Sequence, residues 1–162
     1  MHGHGSWVEP RATPPENVQN PPDMVSDKLA ALQAYQLSIQ SPPAPAGSFD
    51  AAAAGRGRTV FEGAGKCASC HAGTHFTDAP GRLHSPTEVV SEPEPAGPSF
   101  ASRSATKMYR TTPLRGLWQH APYFHNGVAT TLDATVELYN TRKGLGLTAQ
   151  QKTDLVQYLK SL

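Results

Sequence analysis

Two cysteines and a histidine stand close enough together, at Cys67-Ala68-Ser69-Cys70-His71, to do one particular piece of chemistry. Thiols at this spacing can add to the two vinyl groups of a single porphyrin, and the imidazole that follows can turn back to ligate the iron. The run therefore reads as a c-type haem attachment sequence. The chain has no other cysteine, so attachment would leave neither a structural disulfide nor a free thiol. Two other readings compete. A structural zinc site needs about four ligands, which Cys67, Cys70, His71 and His75 could supply. A redox Cys-x-x-Cys pair expects a βαβ setting with β-branched runs, which this chain lacks.

The elements that must hold such a site come from a chain of 162 residues, about one domain with an appendage. Its 15 prolines and mean hydropathy of −0.45 describe a soluble chain with much irregular backbone. No run approaches the ~18 apolar residues of a membrane span. A formal charge of +1 provides no basic stripe for nucleic acid. Covalent haem is attached in bacteria outside the cytoplasmic membrane, so the motif implies a periplasmic or otherwise exported protein. Met1-His2-Gly3-His4-Gly5-Ser6 has neither a basic n-region nor an apolar h-region, and so is not a signal peptide. A processed or recombinant piece, or the C-terminal part of a longer polypeptide, is expected. His2 and His4 read as tail residues rather than metal ligands.

Periodicity supplies an all-α expectation. Prolines at 10, 14, 15, 21 and 22 suit an extended strap over residues 1–23. A helix over 24–40 carries Val25, Leu29, Leu32, Gln36 and Ile39 on one stripe that must lie on something. Ser41-Pro42-Pro43-Ala44-Pro45 ends it. Ser48 can cap a helix over 49–63, with Asp50 in its first turn, and Gly57 and Phe61 share one face of that helix. A short helix over 131–140 places Leu132, Val136 and Tyr139 together. Thr148-Ala149-Gln150-Gln151 is a capping-box pattern opening a last helix with Leu155, Tyr158, Leu159 and Leu162 on its stripe. We expect the Gly57/Phe61 face to cross the Tyr158 face. Residues 72–107, rich in proline and poor in apolar residues, form a long loop. Asp78, Glu88, Glu92 and Glu94 within it read as a solvated face rather than acid–base catalysts. Neither Gly55-Arg56-Gly57 nor Gly144-Leu145-Gly146 has the strand-to-helix setting of a nucleotide site.

The segment Tyr109-Arg110-Thr111-Thr112-Pro113-Leu114-Arg115-Gly116-Leu117-Trp118, followed by Ala121-Pro122-Tyr123-Phe124-His125-Asn126-Gly127, resembles the C-terminal haem domain of the bacterial di-haem cytochrome c peroxidase superfamily. The resemblance runs from about residue 48 to the end and includes the closing Leu155-Val156-Gln157-Tyr158-Leu159-Lys160-Ser161-Leu162 helix. It implies a cytochrome c-like helical domain over 48–162 around one covalent haem c, preceded over 1–47 by a proline-rich strap and one helix like the segment that joins two haem domains. Cys67 and Cys70 would hold the haem and His71 would be the proximal ligand. Arg115 would lie near the propionates and His125 beside the haem edge, with Pro113, Leu114 and Trp118 as further haem contacts. Family members carry two haem domains, whereas this chain has one Cys-x-x-Cys-His.

For the sixth ligand, spacing alone points to Met108, the only methionine after the haem motif. In the family the ligand lies fourteen residues after the histidine of the Tyr-Phe-His motif, a position filled here by Tyr139. His84 and His120 stand behind these two. Trp118 and Tyr123 read as pocket packing, with an electron relay as the alternative. No catalytic residue is assigned. The function expected is one-electron transfer with a redox protein partner and possibly a second haem domain. The alternatives are the electron-entry half of a peroxidase or related haem oxidase, and a zinc-stapled interaction domain.

Overall fold

A computed structural model describes residues 28–79, 81–93 and 99–162, which divide into a unit ending at Ser41 and a unit spanning Pro42–Leu162. The first contains helix α1, Leu29–Ser38, none of whose residues is buried. Leu29, Leu32, Tyr35, Leu37 and Ile39 are all exposed, so the stripe expected to bury itself does not do so among the described residues. The strap over 1–23, Val25 and Glu94 lie outside those residues.

The second unit is built from helices α2, Ala51–Glu62; α3, Phe100–Arg103; α4, Leu132–Lys143; and α5, Ala149–Lys160. Its only β pairing among the described residues is two isolated bridges, His84 with Tyr109 and Tyr123 with Ala129, as the all-α reading requires. The cap of α2 is Asp50 and not Ser48: an Asp50 carboxylate oxygen accepts from Ala53 N at 2.8 Å. Ser48 is occupied otherwise, its own N–H closing a turn onto the Pro45 carbonyl.

Helices α2 and α5 cross where the sequence placed the crossing. A Cβ on Gly57 would lie 2.0 Å from the Asp154 carbonyl oxygen and 2.9 Å from the Tyr158 Cβ, so only glycine permits this approach. Phe61 fills one side of the crossing, with its ring edge-on to Tyr158 at 5.2 Å. Arg56 clamps the other side, donating from Nε and an NH2 group to the two oxygens of buried Asp154 at 2.9 and 2.8 Å. The start of α2 is tied down as well, with Asp50 N–H donating to Gln157 Oε1 at 2.9 Å.

Around this crossing Val60, Leu114, Tyr123, Ala129, Leu132, Val136, Leu147, Leu155, Val156 and Leu159 form one apolar core. The capping box at Thr148 and Gln151 opens α5 as read from the sequence. Helix α4 is capped by Thr131 and runs three residues beyond the expected end, stopping at Gly144 in the left-handed conformation. Lys152 of α5 reaches Glu137 of α4 at 2.6 Å.

Candidate haem site

The Cys-x-x-Cys-His run leaves α2 through a glycine that has no room for a side chain. A Cβ on Gly65 would sit 2.8 Å from the Val60 carbonyl and 3.3 Å from Cys67 Sγ. Lys66 then takes a left-handed φ of 52°, and Cys67–Ser69 form a 3-10 turn. The amides of Cys70 and His71 both donate to the Cys67 carbonyl, at 3.2 and 2.9 Å, so the five residues close on themselves. Both thiols are half-buried on this turn.

Placement of His71 follows from the helix before it. Phe61 in α2 holds Phe76 edge-on at 6.1 Å. Phe76 in turn adopts a left-handed φ of 54°, uncommon for a bulky residue. That conformation delivers the Phe76 carbonyl to His71 Nδ1 at 3.1 Å. A histidine whose Nδ1–H is held by a carbonyl presents Nε2 as its ligating nitrogen, the second-shell contact that fixes tautomer and ring plane. Burial lowers the His71 pKa, partly opposed by the carbonyls of Phe76 and Thr112, which favours the neutral ring a metal needs.

A second phenylalanine performs a comparable task for Tyr139. Phe124 has a left-handed φ of 69°, and its ring lies 5.7 Å from that of Tyr139. Tyr139 is half-buried, and burial together with the nearby Cys67 and Cys70 thiols pushes its phenol up to about 12. Nothing in the sequence marked Phe76 and Phe124 as positioning residues, because a left-handed phenylalanine has no local signature.

The remaining candidates scatter. Leu114 is in the core, while Pro113 and His120 are exposed. Arg115 is exposed and donates from Nε to the Thr74 carbonyl at 2.7 Å, which fastens it to the loop that follows His71. Tyr123 is buried and donates its hydroxyl to the Leu117 carbonyl at 3.3 Å, consistent with packing. Met108 is half-buried next to Tyr109. Trp118 is half-buried, and its Nε1 is a fully buried donor without a hydrogen-bond partner.

The His84 ring, a further sixth-ligand candidate, is engaged by its neighbours in this structure. Its Nε2 lies 3.0 Å from Asp78 Oδ2 and 2.9 Å from Thr111 Oγ1, and its Nδ1 lies 3.5 Å from Glu88. This corrects the reading of the acidic loop as solvated. Burial raises the Asp78 carboxyl, but hydrogen bonds from Thr111 and His84 together outweigh it and hold the group below its usual range. Glu92 is half-buried and engaged as well: Tyr109 donates its hydroxyl to Oε1, and His125 Nε2 stands 3.5 Å from the same oxygen. His125 Nδ1 meets Ser91 Oγ at 3.3 Å, and the Tyr109 ring lies 4.8 Å from the imidazole. The long loop is thus folded by a polar network that residue-type counting could not reveal.

The donor atoms of Cys67, Cys70, His71 and His75 do not converge as a zinc site would require. The group that does converge among the described residues is Cys70, Asp78 and His84. Cys67, Cys70 and His71 fit haem c: two thiols on one turn and an imidazole with Nδ1 occupied.

A Cys-x-x-Cys-His turn set in a helical domain defines the cytochrome c class. Comparison with known proteins narrows it. Residues 108–143 match the family described as RoxA-like, cytochrome c-like. Methylamine utilization protein MauG of Methylorubrum extorquens is 30% identical, over 82% of this chain and 43% of that protein. Cytochrome c551 peroxidase of Pseudomonas aeruginosa is 29% identical, over 84% and 43%. Cytochrome-c peroxidase IdrP2 of Denitromonas iodatirespirans is 31% identical, over 65% and 38%. The fold is shared with a crystal structure of a MauG-like protein associated with microbial copper homeostasis, at a TM-score of 0.58, 23% identity, and coverage of 83% of this chain and 55% of that one. The chain carries a domain of the di-haem cytochrome c peroxidase superfamily, and it spans less than half the length of these curated relatives.

Proposed function

We propose that residues 48–162 bind a single haem c through Cys67 and Cys70, ligate it with His71 and Tyr139, and pass single electrons to and from a redox protein partner after export, with residues 1–47 as a strap. Haem c supplies one-electron redox chemistry when bound; the chain's residues supply attachment, orientation and burial. The observation that carries this reading is the closed Cys67–His71 turn with His71 Nδ1 held by the Phe76 carbonyl. Arg115, His125, Pro113, Leu114 and Trp118 are proposed to line the group.

Tyr139 is favoured over Met108 because its ring stands near the two thiols, with Phe124 5.7 Å from it. A phenolate ligand stabilises ferric iron. Tyr139→Phe is expected to abolish a phenolate charge-transfer band and raise the reduction potential, whereas Met108→Ala leaves both unchanged. The reverse pattern would transfer the ligand to Met108.

A second reading has one specific support. Because the chain covers only 43% of the cytochrome c551 peroxidase, this domain could be the electron-entry half of a di-haem peroxidase whose other haem domain lies elsewhere. The haem stoichiometry of the naturally expressed protein separates the two: one haem supports the single-electron carrier, and two support the peroxidase half.

A further inference from the structure

We infer that Cys70, Asp78 and His84 of the haem-free chain form a binding site for a borderline divalent cation of the zinc class, and that attaching haem at Cys70 removes it. The second half rests on the haem reading above; the first stands without it. The donor atoms of the three residues all lie within 4.8 Å of one another. Around tetrahedral zinc, ligand atoms bound at about 2.0–2.3 Å stand roughly 3.3–3.6 Å apart. His84 Nε2 already lies 3.2 and 3.0 Å from Asp78 Oδ1 and Oδ2. Closing the site therefore asks mainly that the Cys70 side chain swing in by about 1 Å.

The backbone presents these donors from fixed points. His84 is held by its two-way bridge to Tyr109, at 2.7 and 2.8 Å, and the Asp78 carbonyl closes a turn by accepting from the Gly81 and Arg82 amides, both at 2.9 Å. The outer contacts are those that a metal-bound imidazole and carboxylate need. Glu88 Oε1 stands 3.5 Å from His84 Nδ1, so the ring proton can sit on Nδ1 and leave the Nε2 lone pair to the metal. Glu88 is itself fixed by the Ser85 amide at 2.9 Å, and the Thr111 hydroxyl bonds the Asp78 carboxylate. His84 is buried while Cys70 and Asp78 are half-buried, which leaves an ion a way in. One sulfur, one imidazole nitrogen and one carboxylate suit zinc-class ions; magnesium and calcium take oxygen ligands. Binding releases the Cys70 thiol proton to solvent and moves the His84 Nε2 proton to Nδ1. Once the Cys70 sulfur is a thioether to haem it carries no negative charge, and two donors remain.

The test titrates the full-length haem-free chain with zinc against a chromophoric chelator, and with cobalt(II), whose thiolate charge-transfer band counts the sulfurs bound. One ion per chain and one thiolate on cobalt are expected. Affinity should fall at least about 100-fold in Cys70→Ser, Asp78→Asn and His84→Gln, and about tenfold in Glu88→Gln. Cys67→Ser should keep the parent's affinity, which separates this site from a local chelate of Cys67, Cys70 and His71. The chain carrying covalent haem should bind zinc at least about 100-fold more weakly than the haem-free chain. Two thiolates on cobalt, full affinity in His84→Gln, or equally tight zinc binding with haem attached would overturn the inference. If His84→Gln or the haem-free chain does not fold, the cobalt spectrum decides: a one-thiolate band lost in Cys70→Ser and kept in Cys67→Ser supports the site, and a band lost in Cys67→Ser refutes it. A chain that takes up no haem under maturation would instead remove the proposed function, and the titration of the three-residue site would still give its own answer.

Discussion

The α2/α5 crossing and the loop from residue 71 to residue 128 both border the attachment turn, yet they are held together by different physics. At the crossing, apolar side chains at helical spacing and one glycine bring two backbones into contact, and the Arg56–Asp154 clamp is added at the edge. In the loop apolar burial is sparser away from Leu114 and Tyr123, which belong to the core. The chain is ordered instead by buried polar groups that satisfy each other: His84 with Asp78 and Thr111, and Tyr109 with Glu92, next to His125. The first region supplies rigidity from packing and the second supplies it from pairing. Packing tolerates small trimming, whereas pairing fails when one partner is removed.

Breaking the crossing should produce the largest effect. Gly57→Val places a branched side chain into the Asp154 backbone, and we expect at least about 3 kcal/mol of destabilisation by denaturant unfolding. Leu155→Ala, which empties a buried position in α5 without moving the backbones, should cost about 2–5 kcal/mol. In the loop, Tyr109→Phe takes the hydroxyl donor from the half-buried Glu92 carboxylate and strands the Ala101 N–H, which donates to the Tyr109 hydroxyl at 3.2 Å. A loss of about 1–3 kcal/mol is expected. Amide exchange should speed up over residues 84–93 and 108–111 while α2 and α5 keep their protection; loss of protection in both regions together would erase the distinction drawn here.

Smaller changes sharpen the contrast. Thr148→Ala removes the α5 cap and should lower stability by about 1 kcal/mol. Asp154 gives the pH dependence. Its hydrogen bonds from Arg56 depress its carboxyl against the opposing effect of burial. A carboxylate whose folded pKa lies below its unfolded one contributes fully above the unfolded value and is lost as pH falls through the folded one. Asp154→Asn should therefore lower stability above the carboxyl range and flatten the acid limb of a stability–pH profile, the variant and the parent converging at low pH.

How much could be read in advance follows the same division. Gly57, Phe61 and Tyr158 lie on helical repeats, and the Thr148–Gln151 box has a local pattern, so the crossing was legible before any coordinates. The Cys67–His71 run was legible because its chemistry is local. Asp78, His84, Glu92 and Tyr109 were not, since each finds its partner across the loop and carries no periodicity. Phe76 and Phe124 were missed for a different reason: a left-handed backbone at phenylalanine has no local sequence signature. The α1 stripe was over-read, because apolar spacing indicates a face and not what covers it.

The central claim is that this chain carries haem bound covalently at Cys67 and Cys70. Intact-mass spectrometry after acid–acetone extraction, on chain produced with c-type maturation machinery, tests it most directly. The mass should exceed the polypeptide's by one haem and fall to that of the polypeptide alone when both cysteines are replaced by alanine. A parent chain that emerges from extraction at the bare polypeptide mass would contradict the account.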